Sequence, residues 1–115
     1  MVKLVKSNET TTRNHSDAYS ITNYLTKDFS KDFSLAVSNL DNGGHETTKS
    51  ETSDRVYYFI SAKATFTIGD KIFEVNDGDA LFIGKNTDYS FKGAFKAVLI
   101  NMPAFGIEHD RSQNI

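Results

Sequence analysis

From Ala18 onward the chain alternates short apolar runs with breaks rich in Gly, Asn and Asp. The runs are Ala18 to Thr26, Phe33 to Leu40, Arg55 to Ser61, Ala64 to Ile68, Lys71 to Val75, Ala80 to Ile83, Tyr89 to Phe91 and Phe95 to Asn101. Tyr, Phe, Val, Ile and Thr dominate them, which favours strands, and no helix of ordinary length is visible. In Phe33-Ser34-Leu35-Ala36-Val37-Ser38 the large apolar residues take the odd positions and Ser or Ala the even ones, so a strand burying its odd face is predicted. Gly69-Asp70 links two runs with the two residues that a primed hairpin turn requires. Asn76-Asp77-Gly78-Asp79 reads as a second tight turn, with Gly78 free to take positive φ. Pro103, the only proline, ends the last run because it has no N–H for a ladder.

The pattern predicts an all-β sandwich or barrel of antiparallel sheets. One domain spans 1–115: a polar N-terminal strand or arm over 1–17, a barrel over 18–105 and a loosely packed tail over 106–115. Ser7 to Asp17 reads as loop or arm.

Composition narrows the chemistry. In 115 residues there is no Cys, which removes disulfides, thiolate metal sites and Cys nucleophiles. The 13 basic and 15 acidic residues are mixed, for a net charge of −2, and no basic stripe marks a nucleic-acid partner. The first residues lack the apolar run of a secretory signal, and no segment has the length and apolarity of a membrane span. A soluble cytoplasmic protein is expected. There is no Gly-rich phosphate loop and no nucleophile elbow.

Three blocks carry a resemblance. Ser53-Asp54-Arg55-Val56-Tyr57-Tyr58-Phe59-Ile60, followed by Thr65 to Gly69, resembles the first motif of the cupin superfamily. Asn76 to Phe91 resembles the second, with its turn glycine, apolar strand and loop ending in an aromatic. Val98 to Phe105 is similar to the last strand and exit of small single-domain cupins. The resemblance covers Phe33 to Phe105 and implies a double-stranded β-helix, or jelly-roll, barrel. It also implies where metal ligands would stand: Thr48 and Ser50 replace the paired histidines, Arg55 the Glu, and Tyr89 the second-motif His. Gly84 and Asn86 replace that loop's Pro and Gly. The motifs are therefore degenerate, and neither a metal nor another cofactor is expected.

Strand parity puts Arg55, Tyr57 and Phe59 on one face, and Tyr89 and Phe91 on another. With Thr48 and Ser50 they define a candidate cavity of one guanidinium, hydroxyls and aromatic walls, suited to a small polar or anionic, sugar-like ligand. A non-catalytic ligand-binding cupin is the first expectation. One alternative is a metal-independent carbohydrate isomerase or epimerase using Tyr89 and Arg55, although no His falls within the strands as read. The other is a metal-dependent cupin with ligands redrawn from His15, His45 (with Glu46 beside it) or His109. An inward Arg55 needs an acid such as Glu51 or Glu74, open solvent or an anionic ligand. A homodimer is expected, built by Val2 to Lys6 and Ala18 to Thr26 pairing with a partner's sheet.

Overall fold

The computed structural model describes residues 1–105 and 110–112. A 3-10 turn at Ser7–Glu9 precedes strands β1 (Thr11–Asn14), β2 (Tyr19–Leu25), β3 (Ser34–Ser50), β4 (Asp54–Ile68), β5 (Lys71–Asn76), β6 (Ala80–Ile83), β7 (Tyr89–Met102) and β8 (Asp110–Ser112). All pairings are antiparallel, in the order β1-β2-β3-β7-β4-β5, with β6 added to β4 and β8 to β3. The predicted all-β architecture is what forms.

The three long strands fold this sheet over on itself. Tyr57 and Phe66 stand nine residues apart in β4, about 30 Å along a straight strand, yet their ring centroids are 5.3 Å apart. The bend lies at a bulge: Phe59 pairs with Ala97 and Ser61 with Lys96, leaving Ile60 as the extra residue. One extra residue also inverts parity. Tyr57 and Phe59 are buried before the bulge, Phe66 after it. Opposite, Gly93 takes φ +118°, and a Cβ there would lie 2.5 Å from the Lys63 carbonyl oxygen, so only glycine permits this approach. Both halves of the folded sheet send side chains into one core, centred on Tyr57, Phe59, Phe66, Tyr89, Phe91 and Phe95. Gly69 takes φ +63° in the hairpin between β4 and β5, and Gly78 φ +85° in the Asn76–Asp79 turn, as expected.

Several expectations are corrected. The runs from Arg55 and Ala64 are one strand, as are those from Tyr89 and Phe95, because bulges bend the chain without ending its pairing. The odd face of the Phe33 run is only half-buried, and Ser34, Ala36, Ser38 and Leu40 point inward. Small residues are needed there because two of them, Ser34 and Ala36, wall a cavity. Within the N-terminal strand or arm, Thr11–Asn14 is the part that adds a strand to β2. Of the tail, residues 106–109 and 113–115 lie outside the described residues, and Asp110–Ser112 pairs with Ser50 to Thr48 of β3. Within Ala18 to Thr26, the stretch Ser20 to Asn23 is paired on both edges, by β1 and β3. Val2 to Lys6 lies outside any strand. No helix among the described residues is long and apolar enough to cross a membrane.

Candidate functional site

Strand register builds the site in rows. Ser34, Asn101, Arg55 and Ile83 lie side by side across β3, β7, β4 and β6, and Ala36, Leu99, Tyr57 and Leu81 form the adjacent row. The other half of the fold contributes His45 beside Phe91 and Thr48 beside Tyr89. Between them lies a cavity lined by Arg13, His15, Tyr19, His45, Arg55 and Tyr89, among others. Its open volume is about 50 Å³, a few waters' worth at roughly 10–15 Å³ apiece.

Hydrogen bonds tie the two halves together here. Arg55 Nε donates to Asn101 Oδ1 at 2.9 Å, its direct register neighbour, and Arg55 Nη1 donates to the Tyr89 hydroxyl at 2.8 Å. The Tyr57 and Tyr89 hydroxyls are 2.7 Å apart. Burial, with the nearby Tyr89 and Tyr19 hydroxyls, raises the Tyr57 pKa well above the usual phenol value, so Tyr57 stays a neutral donor. Tyr19 closes the other side through its hydroxyl bond to Ser38 Oγ at 2.9 Å.

His45 is 5% exposed and stacks on Phe91, centroids 5.2 Å and planes 19° apart. Burial lowers its pKa, and the Arg55 charge lowers it further, so the neutral imidazole is favoured at pH 7. His15 packs edge-on to it with centroids 6.0 Å apart, and Tyr19 lies 4.9 Å from His45 by the same measure.

A short strap covers one side. Ser53 Oγ donates to the Pro103 carbonyl, Ala104 N to the Lys31 carbonyl, and Phe105 N to Ser34 Oγ. These bonds hold the Phe105 ring over Arg55, 5.5 Å from its guanidinium carbon.

Of the residues expected to line the cavity, Arg55, Tyr57, Tyr89 and Thr48 do so. Ser50 does not: it is buried, its hydroxyl accepts from Ser53 N, and its carbonyl accepts from Asn86 N, so it fixes the turn into β4. Phe91 lies behind His45 in the core instead of at the wall. Glu74 faces solvent on β5, opposite Thr65, and the acceptors drawn to Arg55 include the neutral Asn101 and Tyr89.

The residue that sequence reading misplaced is His45. Asp41-Asn42-Gly43-Gly44 looks like a turn that ends a strand at Leu40, which leaves His45 in a loop. Instead β3 continues through it with a bulge, Asn42 taking φ +53°, and His45 is a strand residue facing inward. His109 lies outside the described residues. A divalent ion does not fit the donors present at the expected ligand positions, which are two hydroxyls, a phenol and a cation. Among the described residues no three His, Asp or Glu side chains gather.

No protein-family model matches the sequence, and no curated protein does. Solved structures do match. A structure of PAC13, described as a unique nucleoside dehydratase, superposes with TM-score 0.87 at 17% identity, covering 100% of this chain and 93% of that one. A tyrosine-to-phenylalanine variant of the Streptomyces protein with uridine gives 0.86 at 20% identity over the same shares. Oxalate decarboxylase from Bacillus subtilis gives 0.84 at 16% identity, over 98% of this chain and 33% of its own. The fold is a cupin fold. At these identities the cupin likeness extends to architecture, and function is argued from the site.

Proposed function

We propose that this cupin-fold chain binds a nucleoside- or sugar-like small molecule in the cavity and carries out metal-free acid–base chemistry on it. The observation that carries the reading is the convergence of a neutral, buried His45 and the Arg55–Tyr89–Tyr57 hydrogen-bonded group on one enclosed space. His45 favours catalysis over binding alone, because it supplies the base that the strand residues otherwise lack.

In this reading His45 takes a proton from a carbon of the ligand, next to a carbonyl that makes it acidic. Tyr89, its oxygen accepting from Arg55, gives its own proton to a departing hydroxyl. The phenolate left behind sits against the Arg55 cation, with Tyr57 able to donate to it. The hydroxyl leaves as water, and the electron pair of the broken C–H bond becomes the new double bond. Where the hydroxyl is retained, delivery of the Tyr89 proton to the opposite face of the same carbon would give epimerisation instead, His45 keeping the proton it took and later passing it to solvent. The Thr48 hydroxyl and Asn101 supply polar contacts, and aromatic walls suit a sugar or base ring. Because the open space is narrow, a ligand of this size displaces the Phe105 strap on entry.

The fold shared with a uridine-binding dehydratase supports nucleosides as the first probes. Thermal-shift screening of nucleosides and sugars, including forms oxidised to a carbonyl beside a C–H and a hydroxyl, identifies a binder that the proposed step could act on. Proton NMR in deuterium oxide then follows loss of a carbon-bound proton from it. Exchange or elimination with wild type, none with His45→Gln and unchanged binding by that variant are expected. Binding without exchange by wild type would return the protein to a non-catalytic ligand carrier.

A homodimer remains part of the proposal, moved to the outer sheet face. There Leu35, Ile100, Val56 and Phe82 form one row across the strands and Val37, Val98 and Tyr58 the next, with Tyr58 49% and Phe82 62% exposed. Sedimentation of wild type against Phe82→Asp checks it, and a monomeric wild type would remove it.

A further inference from the structure

The acid–base step leaves Arg13 without a task. Arg13 sits in β1, the outermost strand of its side of the sheet, and lines the same cavity. Register sets it opposite Ile21, another lining residue, which gives its stem an apolar neighbour. Two residues on, His15 brings its ring to 6.0 Å from that of His45, so the Arg13 rim adjoins the proposed base.

The Nε of Arg13 is buried and meets no hydrogen-bond partner among the described residues. A cationic donor in that position has lost water without gaining an acceptor, a condition that native proteins seldom leave unanswered. The described lining residues include no Asp or Glu to supply one. The net charge of the chain is −2, so a cationic rim is a local feature that bulk composition does not produce. The planar guanidinium fork matches the oxygens of a carboxylate or phosphate.

We infer that the ligand carries an anionic group, carboxylate or phosphate, and that Arg13 holds this group at the cavity rim. The inference rests on the sugar- or nucleoside-binding reading above and narrows its ligand class. It makes Arg13 a specificity residue, outside the reacting centre.

Isothermal titration of wild type, Arg13→Gln and Arg13→Lys tests it with matched probes: uridine against uridine 5′-monophosphate, glucose against glucuronate, and inorganic phosphate alone. In wild type the charged member of at least one pair binds roughly ten- to hundredfold tighter, the range expected for a charge-assisted bond. Arg13→Gln removes that preference and leaves the neutral member's affinity unchanged, and Arg13→Lys restores part of it. Whichever pair shows the preference distinguishes phosphate from carboxylate. Equal binding of charged and neutral members, or a preference that survives Arg13→Gln, overturns the inference while the cavity reading stands. Arg13-dependent binding of phosphate or glucuronate with no binding of uridine or glucose upholds it, and the neutral-ligand form of the function fails instead. No Arg13-dependent binding of any anion overturns it outright.

Discussion

Arg55 donates to the Tyr89 hydroxyl across the interior at 2.8 Å, joining residues from opposite halves of the folded sheet. Arg55 pairs in register with Asn101 at one end of β7, whereas Tyr89 begins the other end. The bond is therefore both a clasp on the fold and part of the candidate site. Arg55→Met keeps the stem and deletes the donors, leaving Asn101 Oδ1 and Tyr89 without them. A loss of about 1–3 kcal/mol is expected for such buried groups, a fall of at least about 4 °C in melting temperature for a domain of this size. Ligand binding is lost with it. Calorimetry and titration on the same variant check both, and an unchanged melting temperature would make Arg55 purely a ligand contact.

The two tyrosines of the cluster separate by their connections. Tyr89 touches both Arg55 and Tyr57, and Tyr57 reaches only Tyr89 among these hydrogen-bonded partners. Tyr89→Phe is expected to abolish turnover while ligand still binds. Tyr57→Phe is expected to slow turnover by roughly tenfold, the equivalent of one hydrogen bond. Single-turnover rates on a substrate found by the exchange assay check the order. Equal losses in the two variants would deny Tyr89 its role as acid.

Much of this cluster was legible because parity is local. Arg55 and Tyr57 share a face in any strand that holds both, and the resemblance supplied Tyr89 and Thr48. What parity does not carry across is a bulge. Asp41-Asn42-Gly43-Gly44 has turn residues, and only the pairing of both flanks with β7 shows that the strand runs on to His45. A different limit hid the burial of Ser34 and Ala36. Large odd-numbered neighbours outweigh them in any hydrophobicity pattern, but a cavity wall needs small residues. Thr11–Asn14 forms a strand because β2 offers it an edge, a long-range cause that four polar residues do not announce.

Glycines at the bends predict graded costs. Gly93 combines φ +118° with approaches of 2.5 Å and 2.7 Å from its would-be Cβ to Lys63 and Ala64 backbone atoms. Gly69 has φ +63° and open space around it. Gly69→Ala is expected to cost about 1 kcal/mol, for backbone conformation alone. Gly93→Ala is expected to cost more than about 3 kcal/mol, adding displacement of the β4 backbone to strain. Urea unfolding of the two variants measures the difference, and equal midpoints would show that the β4–β7 crossing has slack.

The lowered pKa of His45 fixes the sign of the pH response. The unfolded chain takes up the His45 proton near pH 6.5, and the folded chain does so only at lower pH because burial, and then Arg55, disfavour the cation. Between those two values the unfolded state binds more protons, so stability rises with pH. His45 thus contributes stability that is fully present above about pH 6.5 and is lost as pH falls toward the folded value. Tyr57 acts at the other end. Its raised pKa keeps it protonated in the fold while the unfolded phenol ionises near pH 10, so stability falls as pH climbs beyond that. Catalysis follows His45 alone in the acid limb. Activity holds through neutrality and drops only below pH 6.5, because the lowered pKa keeps His45 in its basic, neutral form where an unperturbed imidazole would already be half protonated. His45→Gln is expected to remove the His45 share of the acid limb of the stability curve, just below pH 6.5, along with turnover. A kcat/KM profile whose acid limb already sets in above pH 6.5, or an acid stability limb unchanged in His45→Gln, would assign the titration to another group and deprive His45 of its place as the base.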